Sequence, residues 1–114
     1  MKNFSFHKNL HLKKTKDFNY VYQNHQKKIT SELIVLGRLN CFNYPRLGIS
    51  ISKKKIKYSW NRNRIKRVIK ECFRLLQFYL ISMDFIVIVR KNISFLNNYA
   101  LANIIKKLWF YKSF

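Results

Sequence analysis

Acidic side chains are scarce in this 114-residue sequence, which has 4 Asp+Glu against 24 Lys+Arg and a formal net charge of +20. The acids lie far apart along the chain, at Asp17, Glu32, Glu71 and Asp84. A protein nuclease that uses metal ions gathers several carboxylates around Mg²⁺. The chain also has no GxSxG, P-loop or GxGxxG motif, which are common signs of hydrolases and nucleotide-binding sites. The sequence therefore predicts a protein with no catalytic residues of its own.

Glycine, proline and cysteine are rare as well. The chain has 2 Gly and 1 Pro, while 48% of it is hydrophobic and 17% aromatic. This balance excludes disordered, collagen-like and low-complexity chains. The two cysteines, Cys41 and Cys72, have no CxxC spacing, and we expect reduced, buried thiols. The histidines, His7, His11 and His25, are expected on the surface, with no metal site.

Long apolar runs are also missing. The longest covers residues 85–89, whereas a helix needs about 20 apolar residues to span a bilayer. Residues 1–16 mix charged and single apolar side chains and lack the apolar core of a signal peptide. We therefore expect a cytoplasmic protein.

The excess of positive charge points to the kind of partner. A domain of this size keeps much of its surface in water, and like charges on that surface repel each other and cost stability. A polyanion that neutralises the charge accounts for this composition. Nucleic acid is the favoured partner, and an anionic membrane surface is the weaker alternative.

The hydrophobic pattern predicts a small α+β domain with one sheet. A basic, irregular segment covers residues 1–14, and a polar connection with room for a short strand covers residues 25–31. Two strands of the pattern, Leu33–Leu39 and 46–52, are expected to form an antiparallel hairpin. The other predicted elements are helices over 16–24 (with Thr15 as the N-cap), 58–80 and 98–110, and an interior strand over 85–89.

The strand Leu33–Leu39 is apolar on both faces. Leu33 and Val35 alternate with Ile34 and Leu36, so either both faces are covered or one of them is a binding surface. The first predicted helix groups three apolar side chains on one face, namely Phe18, Val21 and Tyr22. That face belongs either to the core or to the same binding surface.

The densest group of hydrogen-bond donors opens the long helix. It reads Trp60-Asn61-Arg62-Asn63-Arg64-Ile65-Lys66-Arg67, and Lys53-Lys54-Lys55 precedes it. Arginine holds phosphate oxygens in pairs and lysine supplies a point charge. Because the opposite side of this helix is apolar, the direction of the basic side is fixed by packing. A basic helix that begins with a positive dipole end predicts a phosphate-binding surface.

These residues resemble the bacterial ribonuclease P protein subunit. The resemblance rests on 46–54 (RLGISISKK), on Arg62-Asn63-Arg64-Ile65-Lys66-Arg67 with Glu71 four residues later, on Phe18-x-x-Val21-Tyr22, and on 84–88 (DFIVI). The matches run in order from about residue 10 to residue 109. In three places this chain differs from the common pattern, at Trp60, Lys70 and Tyr22.

The resemblance implies a fold and a function. The fold is α-β-β-β-α-β-α with a left-handed β-α-β crossover, an exception to the usual hand. One RNA-binding domain over residues 1–114 partners a catalytic RNA, which removes the 5′ leader of precursor tRNA with Mg²⁺ held mainly by the RNA. Eight residues are implied to contact the catalytic RNA: Arg62, Asn63, Arg64, Lys66, Arg67, Lys53, Lys54 and Arg46. A cleft for the single-stranded leader is implied at Phe18, Tyr22, Ile34, Leu36 and Arg90.

Three other functions remain open on the residues alone. A purely structural RNA binder of the ribosomal type shares the charge and differs in needing no aromatic cleft. A self-sufficient nuclease conflicts with the small number of acids, and a membrane-active cationic domain conflicts with the buried strand and the patterned helix.

Overall fold

The described residues form seven secondary-structure elements in the predicted order. The computed structural model describes residues 10–77 and 80–110, apart from the side chain of residue 110. The predicted segment 1–14 lies mostly outside these residues, as do His7 and positions 78–79 of the predicted long helix. The elements are α1 (Thr15–Gln23), β1 (Gln26–Ile29), β2 (Leu33–Leu39), β3 (Arg46–Ser50), α2 (Ser59–Leu76), β4 (Met83–Val89) and α3 (Asn98–Phe110).

Two helix ends differ from the sequence prediction. Thr15 is the first residue of α1, and the extended residue Lys14 takes the N-cap position without a side-chain cap, so the prediction of a Thr15 cap is wrong. The long helix α2 ends at Leu76, short of the predicted end at residue 80. The Gln77 side chain donates a hydrogen bond to the carbonyl of Arg74, one of the carbonyls that a helix end leaves without a backbone partner.

The sheet has the strand order β1-β2-β4-β3. β2 is antiparallel to both β1 and β4, and β3 is parallel to β4. The predicted hairpin between β2 and β3 is therefore wrong, because β4 lies between them. β4 is the most continuously apolar strand and is buried on both faces, so an interior position is the one that removes it from water. The unit β3-α2-β4 is a parallel crossover, whose hand stays an implication of the resemblance.

Helices pack on both faces of the sheet. One face packs against α2 and α3 in the larger core, where Phe73 and Phe85 both contact the ring of Trp109. The other face packs against α1 in a smaller cluster formed by Leu12, Val21, Leu36 and Ile86. This smaller cluster leaves part of the second face uncovered.

The two cysteines are free but differ in environment. Cys72 is buried in α2, and burial raises the pKa of its thiol. Cys41 is exposed in the turn before β3, so the prediction that both are buried is wrong for Cys41. Within residues 10–77 and 80–110, no helix is long and apolar enough to cross a bilayer.

Candidate nucleic-acid interface

Three rows of side chains cross the sheet face on which α1 packs. Residues paired between neighbouring strands point to the same face, so the strand register defines each row. The first row is Arg38, Asp84 and Arg46; the second is Lys27, Leu36, Ile86 and Gly48; the third is Ile29, Ile34, Ile88 and Ser50. The helix α1 covers the first two rows.

The first row is held by charge. The Arg46 guanidinium donates two hydrogen bonds to the buried Asp84 carboxylate, at 2.8 and 2.7 Å, and lies 3.7 Å from Asp17 of α1. These hydrogen bonds raise the pKa of Arg46. Arg38 stacks on the Tyr20 ring, with its guanidinium carbon 3.5 Å from the ring centroid. Arg46 thus joins α1, β3 and β4, and its implied contact with RNA stays a prediction.

The helix α1 packs on the second row. Val21 is buried there with Leu36 and Ile86. The Phe18 ring lies directly on Gly48, where a Cβ would be 2.6 Å from the Phe18 Cζ atom. Only a glycine at position 48 leaves room for the ring in this place. Leu36 lies in the covered part of the sheet face and supports the apolar side chains around it.

The third row is left open and forms a cleft beside α1. Asp17 and Tyr20 lie on the flank of α1 toward the first row, so Phe18 and Tyr22, one turn apart on the opposite flank, border the third row. Their ring centroids are 6.3 Å apart. Ile34 and Ile88 are half-buried and Ile29 is exposed. We call the third row with these two rings the open cleft.

Positive charge lies at the end of the open cleft. Arg90 follows β4 just beyond the third row, and its guanidinium donates a 2.7 Å hydrogen bond to the Thr30 carbonyl. The Lys55 ammonium donates to the Arg90 carbonyl, which holds the turn of Lys53 and Lys54 against the same end of the sheet. The sequence did not predict this contact between two segments 35 residues apart.

One flank of α2 meets the cleft wall. Lys66 and Lys70 line a cavity of about 170 Å³ with Phe18, Gly48 and His11. Burial lowers the pKa of His11, and the charges of Lys70 and Lys13 lower it further. The predicted helix surface and the predicted cleft are thus continuous around the edge strand β3.

The basic motif of α2 divides into two groups. Arg62 donates to the carbonyls of Ile56 and Lys57, both at 2.9 Å, and so fixes the turn before the helix. Arg64 donates to Asn98 Oδ1 at 2.8 Å and to the Ser94 carbonyl at 2.9 Å.

In contrast, Asn63 and Arg67 are exposed. Within the described part of the chain, Arg67 makes no hydrogen bond or ion pair. Arg62 and Arg64, two of the five motif residues predicted to contact RNA, therefore also stabilise the fold. Asn63, Lys66 and Arg67 are the members of the motif most available to a ligand.

Several residues of the site were missed by the sequence analysis. Ile29, Ile88, Gly48 and His11 come together only through the strand register and the packing of α1. For Ile88 a signal existed, since it is two residues from Ile86 and shares its face.

Carboxylates do not form a metal site in the described residues. Asp17 and Asp84 share Arg46, and Glu71 pairs with Arg74, which lowers the pKa of Glu71. Glu32 stands apart in the turn between β1 and β2. No three His, Cys, Asp or Glu residues of the described ranges could hold a metal ion together. These residues do not fit a Mg²⁺ site built by this part of the chain alone.

The fold and this surface define a class. A small basic α+β protein with an apolar, aromatic cleft beside a cationic helix is typical of proteins that bind single-stranded nucleic acid, because bases stack on rings and phosphates bind cations.

Comparisons with known proteins identify the family. A family model described as Ribonuclease P matches residues 6–112. The ribonuclease P protein component of Buchnera aphidicola subsp. Schizaphis graminum is 50% identical over 109 residues, which are 96% of each chain. That of Edwardsiella ictaluri is 45% identical over 109 residues, 96% of this chain and 92% of the relative.

Solved structures of RNase P proteins have the same fold as this chain. The RNase P protein of Staphylococcus aureus superposes with a TM-score of 0.82 at 29% identity, covering 87% of this chain and 91% of that one. The RNase P protein of Thermotoga maritima superposes with a TM-score of 0.71 at 27% identity, covering 85% and 96%.

The chain therefore belongs to the ribonuclease P protein family. Proteins of this family are the protein component of an endoribonuclease that is a ribonucleoprotein, so the resemblance seen in the sequence and the predicted α+β fold are both confirmed.

Proposed function

We propose that this chain binds the catalytic RNA of ribonuclease P through α2 and the 5′ leader of precursor tRNA in the open cleft. The observation that carries the proposal is the uncovered third row of the sheet, which lies beside the rings of Phe18 and Tyr22 and ends at Arg90. The complex would act in the cytoplasm, where precursor tRNA is made.

A single strand suits the open cleft for two reasons. Unpaired bases expose flat apolar faces that stack on aromatic rings, with an effect of about 1–3 kcal/mol per base. The half-buried Ile34 and Ile88 form an apolar floor below the rings. A duplex hides its base faces and offers no such contact.

Charge supports binding of the backbone. Lys66 on α2 lies beside β3, the turn of Lys53 and Lys54 follows the end of β3, and Arg90 adds a guanidinium at the cleft end. Each phosphate that these side chains neutralise releases counterions from the RNA, which makes the affinity depend on salt.

The chemistry belongs to the RNA in this proposal. The acidic side chains are paired with arginine or stand apart, so the described residues supply no carboxylate cluster for Mg²⁺. Mg²⁺ held mainly by the RNA would promote hydrolysis of the phosphodiester bond at the leader junction. The residues of this chain bind and orient the leader and neutralise phosphate charge around it.

Reconstituted cleavage tests the division of roles. We expect the purified chain with Mg²⁺ to leave precursor tRNA intact, and added cognate ribonuclease P RNA to produce specific 5′ cleavage at low salt. Full cleavage by the chain verified free of RNA would contradict the proposal.

A matched pair of substitutions on α1 tests the cleft. Tyr22 and Tyr20 are 42% and 41% exposed on the same helix, but only Tyr22 borders the third row. In the complex with RNA, Tyr22→Ala should weaken binding of leader-bearing precursor by roughly 5- to 150-fold and leave binding of mature tRNA unchanged. Tyr20→Ala should not change this ratio. Equal losses for both ligands with Tyr22→Ala would assign the ring to the core and favour a purely structural RNA binder.

A further inference from the structure

Three aromatic side chains form an exposed patch that neither the open cleft nor the cationic motif explains. Trp60 is 65% exposed and Phe95 is 75% exposed, and Tyr58 is exposed beside Trp60. We call these three residues the aromatic patch. It lies on the flank of α2 that faces the loop before α3, whereas Lys66 and Lys70 lie on the flank that faces β3. Contiguous exposed apolar side chains often mark an interaction surface.

The patch is held in place by the fold. The rings of Tyr58 and Trp60 are stacked, with centroids 6.2 Å apart and planes inclined by 21°. Phe95 stands between Ile93, which is fully buried, and Leu96, which packs against the core. Since Ile93 and Leu96 are anchored in the core, the backbone at Phe95 is held in place and presents the ring to solvent. A partner would therefore not need to order the loop backbone on binding.

Arg64 provides the link between the two sides of the patch. Its guanidinium donates to the Ser94 carbonyl at 2.9 Å and to Asn98 Oδ1 at 2.8 Å. Ser94 is adjacent to Phe95, and Arg64 is one helical turn after Trp60. The guanidinium therefore joins the part of α2 that carries Trp60 to the loop that carries Phe95.

The lining of this region favours nucleic acid as the partner. Trp60 and Phe95 border one depression of about 720 Å³, whose polar lining consists of Asn61, Arg64, Ser94, Asn97 and Asn98. The amide NH₂ groups can donate to base edges, the Arg64 guanidinium adds positive charge, and the lining contains no carboxylate. Flat rings together with amides and positive charge suit an unpaired base, whereas an apolar protein surface or a lipid tail would cover the amide N–H groups and offer them no acceptor.

We propose that the aromatic patch stacks on unpaired bases of the catalytic RNA. This inference rests on the proposed function, in which α2 faces that RNA, and it adds a second, base-stacking contact that is separate from the leader cleft. The contact is independent of the phosphate charge that α2 neutralises.

Binding of the cognate ribonuclease P RNA tests the inference. Trp60→Ala and Phe95→Ala should each weaken affinity by roughly 5- to 150-fold, with an unchanged slope of log affinity against log salt because no phosphate contact is lost. Trp60→Phe should retain most of the affinity, since it keeps an aromatic ring. Leu39→Ala is the matched control, because Leu39 is 66% exposed on β2 and should bind like the unsubstituted chain.

Tryptophan fluorescence gives a second measurement. The chain has 2 tryptophans, and Trp109 is buried in the core, so quenching by RNA reports on Trp60. We expect quenching by a single-stranded RNA and little by a blunt RNA duplex. Equal quenching by both would reduce the contact to charge and overturn the inference.

The remaining outcomes separate this inference from the proposed function. Unchanged RNA affinity in Trp60→Ala and Phe95→Ala overturns the inference alone. So does a change of oligomeric state in sedimentation with RNA affinity unchanged, which would assign the patch to protein contacts. Failure of the unsubstituted chain to bind the RNA overturns the proposed function and this inference together.

Discussion

The Asp84–Arg46 pair allows a test of whether Arg46 serves the fold or the RNA. Asp84 is 1% exposed and the Arg46 side chain 14% exposed. The carboxylate accepts two hydrogen bonds from Arg46 and one from Asn40 at 2.8 Å. Asp84→Asn keeps the shape but removes the charge and one acceptor oxygen, so the guanidinium is left in a mostly desolvated place with Asp17 as its only nearby carboxylate among the described residues.

The magnitude follows from these contacts. A hydrogen bond to a charged group is worth about 1.5–3 kcal/mol, and breaking a buried ion pair costs about 3–5 kcal/mol. The remaining contact with Asp17 and the partial exposure of Arg46 reduce this loss. We expect Asp84→Asn to lower the free energy of unfolding by about 3 kcal/mol.

Urea denaturation followed by circular dichroism measures the change. With a slope of about 1–3 kcal/mol per molar urea, the midpoint should fall by about 1–3 M. Arg46→Ala in the Asp84→Asn background should cost less than Arg46→Ala alone, because the partner charge is already gone. A loss below about 1 kcal/mol in Asp84→Asn would refute the reasoning that the pair is desolvated. Arg46→Ala that lowers RNA affinity and leaves stability unchanged would assign Arg46 to the RNA instead.

Three other substitutions probe the site. Gly48→Ala should displace the Phe18 ring and reduce the preference for leader-bearing over mature tRNA in the complex with RNA, with a change in unfolding free energy below about 2 kcal/mol. Arg67→Ala should flatten the log–log salt slope of RNA binding by about 1, whereas Arg74→Ala, whose guanidinium is paired with Glu71, should flatten it less. His11→Gln should reduce the pH dependence of stability. The folded chain holds the pKa of His11 below its ordinary value of 6.5, so the unfolded chain takes up the proton first and stability falls as the pH drops below that value.

Each of these three has a contrary result. An unchanged preference in Gly48→Ala would show that the leader does not use the Phe18 ring. An unchanged salt slope in Arg67→Ala would place its guanidinium away from phosphate. Equal pH dependence in the unsubstituted chain and His11→Gln would assign the pH effect to other groups.

Much of the fold and of the character of the site could be predicted from the amino-acid sequence. The continuous apolar run over 85–89 was enough to place a strand at β4, and the helical period of apolar residues was enough to place a helix at α3, because burial imposes these patterns on a sequence that folds. The small number of acids predicts a protein without catalytic residues of its own, which the cleavage assay with and without RNA tests. The two-faced pattern of Leu33–Leu39 was enough to raise the alternative of a binding surface.

Tertiary structure decided which residues meet. The hairpin predicted for β2 and β3 does not form. β4 is apolar on both faces and is removed from water only in an interior position, so it lies between β2 and β3. The third row draws Ile29, Ile34 and Ile88 from three strands, and no spacing along the chain encodes that register. Arginine is a residue type that often binds phosphate. Arg46 instead pairs with Asp84, which is 38 residues away along the chain. Charge and the period of apolar residues are properties of single segments, so they can be predicted from the sequence of each segment. The open cleft depends on how far α1 covers the sheet, and the packing of side chains from distant segments decides that.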